Sequence, residues 1–358
     1  MRKESLAFFT EILNTPSPSG AEQQAAEVFR GYVKPFADKV STDVMGNVWA
    51  HINPDAKRQI MLAGHIDEIG FIVHYVSDEG LIYFMPVGGH DSAIPLGQRV
   101  WIHSGKKRIP GVIGRKAIHL LTPDERKQKP ELHDLWIDIG VASKKEALAL
   151  IEIGDVVTYQ WEFQPLAGDR TTARGFDNKM GAFVVAEALR HLAEKRPDKS
   201  VGVIAVGTTQ EEIGLRGART AAQAIGCEAG IAVDVTHAID YPSVDKKKYG
   251  DIRMGEGPVV NAGPNINPQM FEIAKQAAKA EKIPIQIEVD GGVTGTDAGA
   301  MQVAGAGMAT GLLGVAIRYM HTPVEVLSLK DVEQCAKLMA AMCRAVTAKT
   351  DFTPRLRK

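Results

Sequence analysis

The sequence predicts an α/β fold in which helices cover both faces of a mixed β-sheet, with a small β-barrel domain inserted into it. Two observations favour this architecture. Near both ends of the chain, apolar strand-like runs alternate with helical segments, as in sheets covered on both faces. Between these regions, short β-rich runs alternate with glycine and proline turns, as in a barrel or sandwich. We therefore expect a divided domain, residues 1–68 and 162–358, with residues 69–161 as the insert.

The first part of the divided domain is predicted to contain two helices and two strands. Apolar residues recur at helical spacing over 5–13 and 21–36, and a proline-rich turn separates the two segments. Residues 48–52 and 59–63 have the apolar content of strands. The second strand therefore ends just before His65.

The insert is predicted to be built from short strands. Its β-rich runs, each bounded by turn residues, are 71–75, 81–84, 99–102, 111–114 and 155–159. One helix interrupts them, over 144–151, with Ser143 as its N-cap.

After residue 174 strands and helices alternate again. The predicted helices are 179–194, about 217–225, 268–281 and 329–347, and the predicted strands are 201–207, 230–235, 285–289 and 307–312. The glycine-rich segment 291–299 lacks the spacing of a nucleotide-binding loop. We expect it to be a flexible loop that faces substrate.

Composition excludes several classes of partner. The 42 lysine and arginine residues nearly cancel 43 aspartate and glutamate residues, so no global charge favours nucleic acid or a membrane surface. Three cysteines without paired spacing argue against a disulfide framework, which fits a reducing compartment. No signal-like start and no run of roughly 20 apolar residues is present. We expect a soluble, cytoplasmic protein.

Acidic residues and histidines recur just after apolar runs. In an open α/β sheet the ends of strands lie together and bind ligands, so side chains far apart in sequence can meet there. Such nitrogen and oxygen donors are what two divalent metal ions would need. The candidates are His65, Asp67, Asp177, Glu211, Glu212, Asp234 and His321.

Three carboxylates are difficult to explain by local structure alone. Glu211 and Glu212 are adjacent after a buried strand, where they would repel each other unless each had a separate task. One can hold a metal while the other transfers protons. The alternative is an exposed pair at the start of a helix, where the helix dipole favours acids. Asp234 lies inside an apolar run, where an unpaired charge is costly.

The other candidates have structural alternatives. His65 and Asp67 share a face if the segment is extended, so Asp67 can orient the imidazole, although a hydrogen-bonded structural histidine would look the same. Asp177 precedes a predicted helix and is also a suitable N-cap acid. Pro323 stiffens the loop behind His321.

Taken together, these motifs resemble those of the M42 metallo-aminopeptidases. That family includes the tetrahedral (TET) and glutamyl aminopeptidases, and some relatives have carried an endoglucanase label. The resemblance covers essentially the full chain. The matching motifs include residues 17–20, 64–70, 87–89, 111–114 and 318–325. Lys179 stands where many members carry arginine, and Thr322 where serine is common; neither position is a proposed ligand.

The resemblance implies a site with two divalent metal ions, Zn²⁺ or Co²⁺ in the first place and Mn²⁺ as a further candidate. His65 and Asp234 would hold one ion, Glu212 and His321 the other, and Asp177 would bridge them. Glu211 would be the general base, and Asp67 would orient His65. The family's β-rich insert serves subunit contact. A homo-oligomer is therefore implied, either a dodecamer built from dimers or a dimer alone.

The implied activity is hydrolysis of N-terminal residues from short peptides by a metal-activated water. Three alternatives stay open. A deacylase of N-acylated amino acids or peptides would use the same metal pair. A glycosidase could use two carboxylates, although it has no need of histidine ligands. A non-catalytic assembly protein would keep the fold without needing bound metal.

Overall fold

The computed structural model describes residues 1–354. The helices are α1 (Lys3–Asn14), α2 (Gln23–Val33), α3 (Lys144–Leu148), α4 (Phe176–Glu194), α5 (Arg216–Ile225), α6 (Lys246–Tyr249), α7 (Pro268–Glu281), α8 (Asp297–Gln302) and α9 (Leu329–Ala345). The first nine strands are β1 (Lys39–Thr42), β2 (Val48–Ile52), β3 (Arg58–His65), β4 (Gly70–Val76), β5 (Ile82–Val87), β6 (Arg99–Ser104), β7 (Lys107–Gly114), β8 (Trp136–Asp138) and β9 (Val156–Tyr159). The others are β10 (Gln164–Pro165), β11 (Arg170–Ala173), β12 (Val201–Thr208), β13 (Ala229–His237), β14 (Val259–Ala262), β15 (Gln286–Val289), β16 (Ala309–Ile317) and β17 (Glu325–Ser328).

Eight strands form a mixed sheet in the order β1-β2-β12-β3-β13-β16-β14-β15. The four central strands, β12, β3, β13 and β16, run parallel to one another. Their residues are almost entirely buried, as expected for parallel strands covered on both faces. The mixed sheet covered by helices is thus confirmed.

Two glycines show how closely helices approach the two faces. A Cβ atom at Gly64 would lie 2.5 Å from the carbonyl carbon of Gly181 in α4. A Cβ atom at Gly230, which pairs with Met61 across β3 and β13, would lie 2.4 Å from Met301 in α8. Residues 61 and 64 point to opposite faces because side chains alternate along a strand. Helices α4 and α8 therefore cover opposite faces.

The face under α4 is packed with aromatic residues. Phe9 of α1 is fully buried, and its ring centroid lies 4.6 Å from that of Phe183 and 5.9 Å from that of Phe176. Both of these residues belong to α4. Burial of one such ring contributes roughly 1.5–3 kcal/mol. This packing fixes the start of α4, which carries Asp177.

Strands from β4 to β9 form a closed barrel in the order β4-β5-β8-β7-β6-β9. All of its pairings are antiparallel, and its interior is a separate apolar cluster that includes Phe71, Val100 and Ile137. The small β-barrel is thus confirmed, while the division of the chain at residues 68 and 161 stays a prediction.

Some elements differ from the expectation. Residues 297–302 form α8, so the glycine-rich segment is not wholly a flexible loop; Asn265 holds Thr294 ahead of this helix through two hydrogen bonds of 3.0 and 2.6 Å. Helix α2 ends at Val33, followed by a 3₁₀ turn, because Pro35 has no N–H to continue the ladder. Several strands and α6 were not predicted. Within residues 1–354 no helix has the length and apolar character needed to cross a bilayer.

Candidate metal centre

The parallel strands bring the candidate residues to one edge of the sheet. His65 ends β3 and is paired with Thr208, the last residue of β12, so Glu211 and Glu212 follow close by. Asp234 lies in the adjacent strand β13. Asp177 is at the start of α4, and His321 lies between β16 and β17.

His65 lies at the centre of the group. Its side chain is 1% exposed, and its Nε2 atom lies 3.4 Å from Asp177 Oδ1 and 3.6 Å from Glu211 Oε2. Donor atoms of His65, Glu211 and Asp234 all lie within 4.8 Å of one another, and so do those of His65, Asp177 and Glu212. Both groups are therefore compact enough to hold a metal ion.

Asp177 lies between the two histidines. Its Oδ1 atom faces His65, and its Oδ2 atom lies 3.1 Å from Nε2 of His321. The same Nε2 lies 3.6 Å from Glu212 Oε2. On the other side of the ring, Nδ1 of His321 is 3.0 Å from the carbonyl oxygen of Gly89. A proton on Nδ1 donated to Gly89 leaves Nε2 free to bind a metal.

Asp67 is fully buried and contacts both the histidine and the glutamate loop. Its Oδ1 atom lies 3.3 Å from Nδ1 of His65 and accepts the backbone N–H of Glu211 at 3.1 Å. Its Oδ2 atom accepts the backbone N–H of Glu212 at 3.2 Å and the hydroxyl of Ser19 at 2.7 Å. One carboxylate thus fixes the ring of His65 and two consecutive residues of the loop.

The acids of this group have no lysine or arginine partner in the part of the chain that the structure describes. Burial raises the pKa of Glu211 and Glu212 to about 10, and neighbouring carboxylates add to the effect. Burial also raises the pKa of Asp234. Within residues 1–354, no lysine or arginine forms an ion pair with these three acids or with Asp177. Bound cations would balance this charge.

One oxygen is left without a partner. Oε1 of Glu212 is buried and accepts no hydrogen bond from the described residues. A buried carboxylate oxygen without a donor is costly unless a cation or water satisfies it. The donor set, imidazole nitrogen with carboxylate oxygen, suits Zn²⁺ and similar divalent ions. The residues present therefore fit a metal centre.

The profile of the M42 glutamyl aminopeptidases matches residues 46–338 of the sequence. The chain belongs to this family. A lysyl aminopeptidase of Pyrococcus furiosus is 35% identical over 347 residues, which cover 96% of this chain and 98% of that protein. The family assignment made from the motifs is confirmed, and the chain is accordingly a hydrolytic exopeptidase.

Solved structures of TET aminopeptidases share the whole fold of this M42 peptidase. A TET aminopeptidase from the marine sediment archaeon Thaumarchaeota archaeon SCGC AB-539-E09 superposes with a TM-score of 0.92 at 32% identity, covering 96% of this chain and 97% of that one. The TET1 peptidase of Pyrococcus horikoshii gives a TM-score of 0.84 at 32% identity, covering 96% and 100%. That peptidase can assemble into a tetrahedron or a large octahedral shell.

The sequence analysis assigned no role to Glu325, although this residue lies in the recognised motif 318–325. The side chain is 2% exposed; Oε2 accepts the backbone N–H of Asp177 at 3.2 Å, and Oε1 accepts that of His321 at 2.9 Å. Burial raises its pKa to about 8. Glu325 thus holds the backbones of two proposed ligands. No local sequence pattern indicated this role, because Asp177 is distant in sequence and His321 lies in an irregular loop.

A second residue that was missed is Asp297, the first residue of α8. It accepts the hydroxyl of Thr208 at 2.6 Å, and its Oδ1 atom is buried without a hydrogen-bond partner among the described residues. Burial raises its pKa to about 6. The sequence placed this residue in a flexible loop, so its burial beside the end of β12 was not foreseen.

A buried ion cluster lies behind the site. Glu68 accepts hydrogen bonds from Lys179 Nζ at 2.8 Å, from the guanidinium of Arg174 and from the backbone N–H of Ser17 at 2.9 Å. Lys179 is 0% exposed. Lys179, two residues after Asp177, thus forms a structural ion pair that anchors the start of α4.

Proposed function

We propose that this M42 peptidase is a metal-dependent aminopeptidase that removes residues from the N-terminus of short peptides. The main support is the compact cluster of four acids around His65, which has no lysine or arginine partner within residues 1–354 and contains an unsatisfied carboxylate oxygen. The partly exposed His321 lies beside this cluster, 3.1 Å from Asp177. Such a group is stable and chemically useful once cations occupy it.

His65 and Asp234 would hold one ion, Glu212 and His321 a second, and Asp177 would bridge the two. The oxygens of Asp177 face one histidine each, which supports the bridging role. When bound, a pair of divalent ions lowers the pKa of a water molecule and polarises a carbonyl group. The identity of the ions, Zn²⁺, Co²⁺ or Mn²⁺, is part of the test below.

Glu211 would accept a proton from the attacking water and return it to the leaving amine, as a general base and then a general acid. Its backbone is held by Asp67, and its carboxylate is near the imidazole of His65. One of the ions, or carboxylates near it, would hold the free α-amine of the substrate, which favours cleavage at the N-terminus over internal cleavage.

Two matched variants separate the roles of the adjacent glutamates. We expect Glu211→Gln to keep its metal content and lose most of its rate, because only the proton acceptor is removed. We expect Glu212→Gln to lose metal, because a ligand is removed. Metal content is measured by elemental analysis of the purified proteins. If Glu211→Gln emptied the site while Glu212→Gln kept metal and activity, the two roles would be reversed.

Substrate and metal are tested with metal-stripped protein. A panel of leucyl, glutamyl and lysyl p-nitroanilides is assayed with and without Zn²⁺, Co²⁺ or Mn²⁺, beside N-acetylated versions of the same compounds. We expect added metal to restore cleavage of the compounds with a free N-terminus. Cleavage of blocked compounds alone would indicate the deacylase, and failure to bind any of the three ions would refute the metal mechanism.

We further propose that residues 69–161 are the dimerisation domain of a cytoplasmic homo-oligomer, which would extend to a dodecamer built from dimers. The assembly of the TET1 peptidase of Pyrococcus horikoshii supports this proposal. So do the barrel-side residues Met85, Val112, Ile118 and Leu120, which are 50–69% exposed. Light scattering coupled to size exclusion measures the mass; a single-chain mass at micromolar concentration would count against it.

A further inference from the structure

The loop that carries Glu211 begins with a strained residue. Gln210 has φ of 54°, in the left-handed region that residues other than glycine seldom adopt. It lies between the end of β12 and Glu211, so its backbone conformation sets the direction in which the proposed base points. A conformation of this kind persists only where its surroundings hold it.

Glu22, at the start of α2, provides that hold. Its side chain is 4% exposed, and its Oε1 atom accepts the backbone N–H of Gln210 at 3.1 Å and that of Gly20 at 2.8 Å. The next two amides, of Glu211 and Glu212, both bind Asp67. Three consecutive amides of the loop are therefore bound to two buried carboxylates.

Residues of one turn also contact both carboxylates. Ser19 donates its hydroxyl to Asp67, and Gly20 donates its amide to Glu22. The turn 17–22 therefore supports both acceptors. Residues 17–20 of this turn match a family motif, but the sequence analysis assigned them no role.

The surroundings of Glu22 do not favour an ionised acid. Within residues 1–354 it forms no ion pair with a lysine or arginine. Burial raises its pKa to about 7, and the nearby charge of Asp67 adds to this effect. A buried acid that pairs with no cation and binds only backbone amides is explained by what those amides position.

We propose that Glu22 is a positioning residue for the reaction: it fixes the backbone of Gln210 and thereby the orientation of Glu211. The inference rests on the proposed role of Glu211 as the base. This role requires a side chain long enough to place an acceptor oxygen at the amide of Gln210, because that amide is neutral. Charge is secondary.

Three variants of Glu22 separate reach from charge. Glu22→Gln keeps the length and an acceptor oxygen, and we expect its kcat to stay within about threefold of the wild type. Glu22→Asp keeps the charge but is one methylene too short, and Glu22→Ala removes the acceptor. For both we expect kcat to fall by about 10- to 100-fold with KM nearly unchanged, because a displacement of about 1 Å at the reacting group has that effect.

The matched control is Asp331→Ala. Asp331 is likewise buried and accepts two backbone amides, those of Gly255 and Gly257, but it lies at the start of α9 and neither amide adjoins a proposed ligand. We expect this variant to lose stability and keep its kcat at temperatures where it is folded. If it lost kcat as Glu22→Ala does, the effect at Glu22 would be one of general stability and the proposal would fail.

Amide hydrogen exchange of the metal-free protein tests the contact without any assay of activity. We expect the amide of Gln210 to exchange faster in Glu22→Asp than in Glu22→Gln. This readout holds even if no panel substrate is cleaved, so failure of the proposed function is distinguishable from failure of this inference. An active Glu22→Asp with an impaired Glu22→Gln would overturn the proposal in favour of a charge-based role, and unchanged exchange in Glu22→Asp would also overturn it.

Discussion

Glu68 offers a direct measure of what the buried ion cluster contributes to stability. Its carboxylate contacts Arg174 and Lys179, and their charges outweigh the effect of burial, lowering its pKa from 4.5 to about 2. That difference corresponds to about 3 kcal/mol of stability at neutral pH. We therefore expect Glu68→Gln to unfold at a Tm lower by roughly 6 °C, taking about 2 °C per kcal/mol for a chain of this size.

The contribution of Glu68 has a defined pH window. The unfolded chain binds the proton near pH 4.5 and the folded chain only near pH 2, so stability falls as pH decreases between these values. At pH 3 we expect the difference between wild type and Glu68→Gln to be about 1 kcal/mol. Burial lowers the pKa of Lys179 to about 8, and repulsion by the charge of Arg174 adds to this effect, although Glu68 opposes it. The stabilisation is therefore attributed to the carboxylate.

Calorimetry from pH 7 to pH 3 measures this effect. Glu194→Gln is the control, because Glu194 pairs with Arg190 but is 61% exposed, and surface pairs contribute at most about 1 kcal/mol. A difference between wild type and Glu68→Gln that stayed constant over this pH range would show that packing of the amide, and not loss of the charge, destabilises the variant. An absence of any difference at pH 7 would refute the reasoning outright.

Three further predictions test local features. Gly64→Ala should lower Tm by several degrees, because its Cβ would meet the backbone of Gly181, whereas Gly230→Ala should be milder because it meets flexible methionine ends. Asn267→Ala should cost about 1 kcal/mol in denaturant unfolding, since Asn267 caps α7 by accepting two backbone amides; no loss would contradict the capping role. Glu325→Gln should weaken metal binding by about 10- to 100-fold in calorimetric titrations, and an unchanged affinity would show that it does not position the ligands.

The elements that the sequence predicted well are those with local signals. Helix α7 begins at Pro268 after the capping residue Asn267, and its observed bounds are the predicted ones. Strand β2 likewise matches its apolar run. By contrast, β11 and β17 are four residues each and pair with one another across more than 150 positions, so neither has a local signal strong enough to reveal it.

The candidate site divides in the same way. The rule that ligands bind at the carboxyl ends of the strands predicted that His65 and Asp234 lie close together, and the structure places them so. The order of the strands could not be predicted, because alternation of strands and helices does not determine it. Asp177 looked like an N-cap acid, whereas its carboxylate faces the two histidines. Glu22 and Glu325 contact backbone amides. Nearly every residue has such an amide, so the sequence could not indicate these contacts. The roles given to all ligands stay predictions.

The contact between His321 and Gly89 joins parts of the molecule that fold around separate cores. Gly89 follows β5 of the barrel, whereas His321 extends from the large sheet. The carbonyl oxygen of Gly89, which belongs to the barrel segment, thus favours a proton on Nδ1 of His321, which lies outside the barrel. A chimera that replaced the barrel with a short linker would keep the strand ends intact and still lose the acceptor that orients this ring. Barrel and sheet therefore have to be exchanged together in any engineered relative.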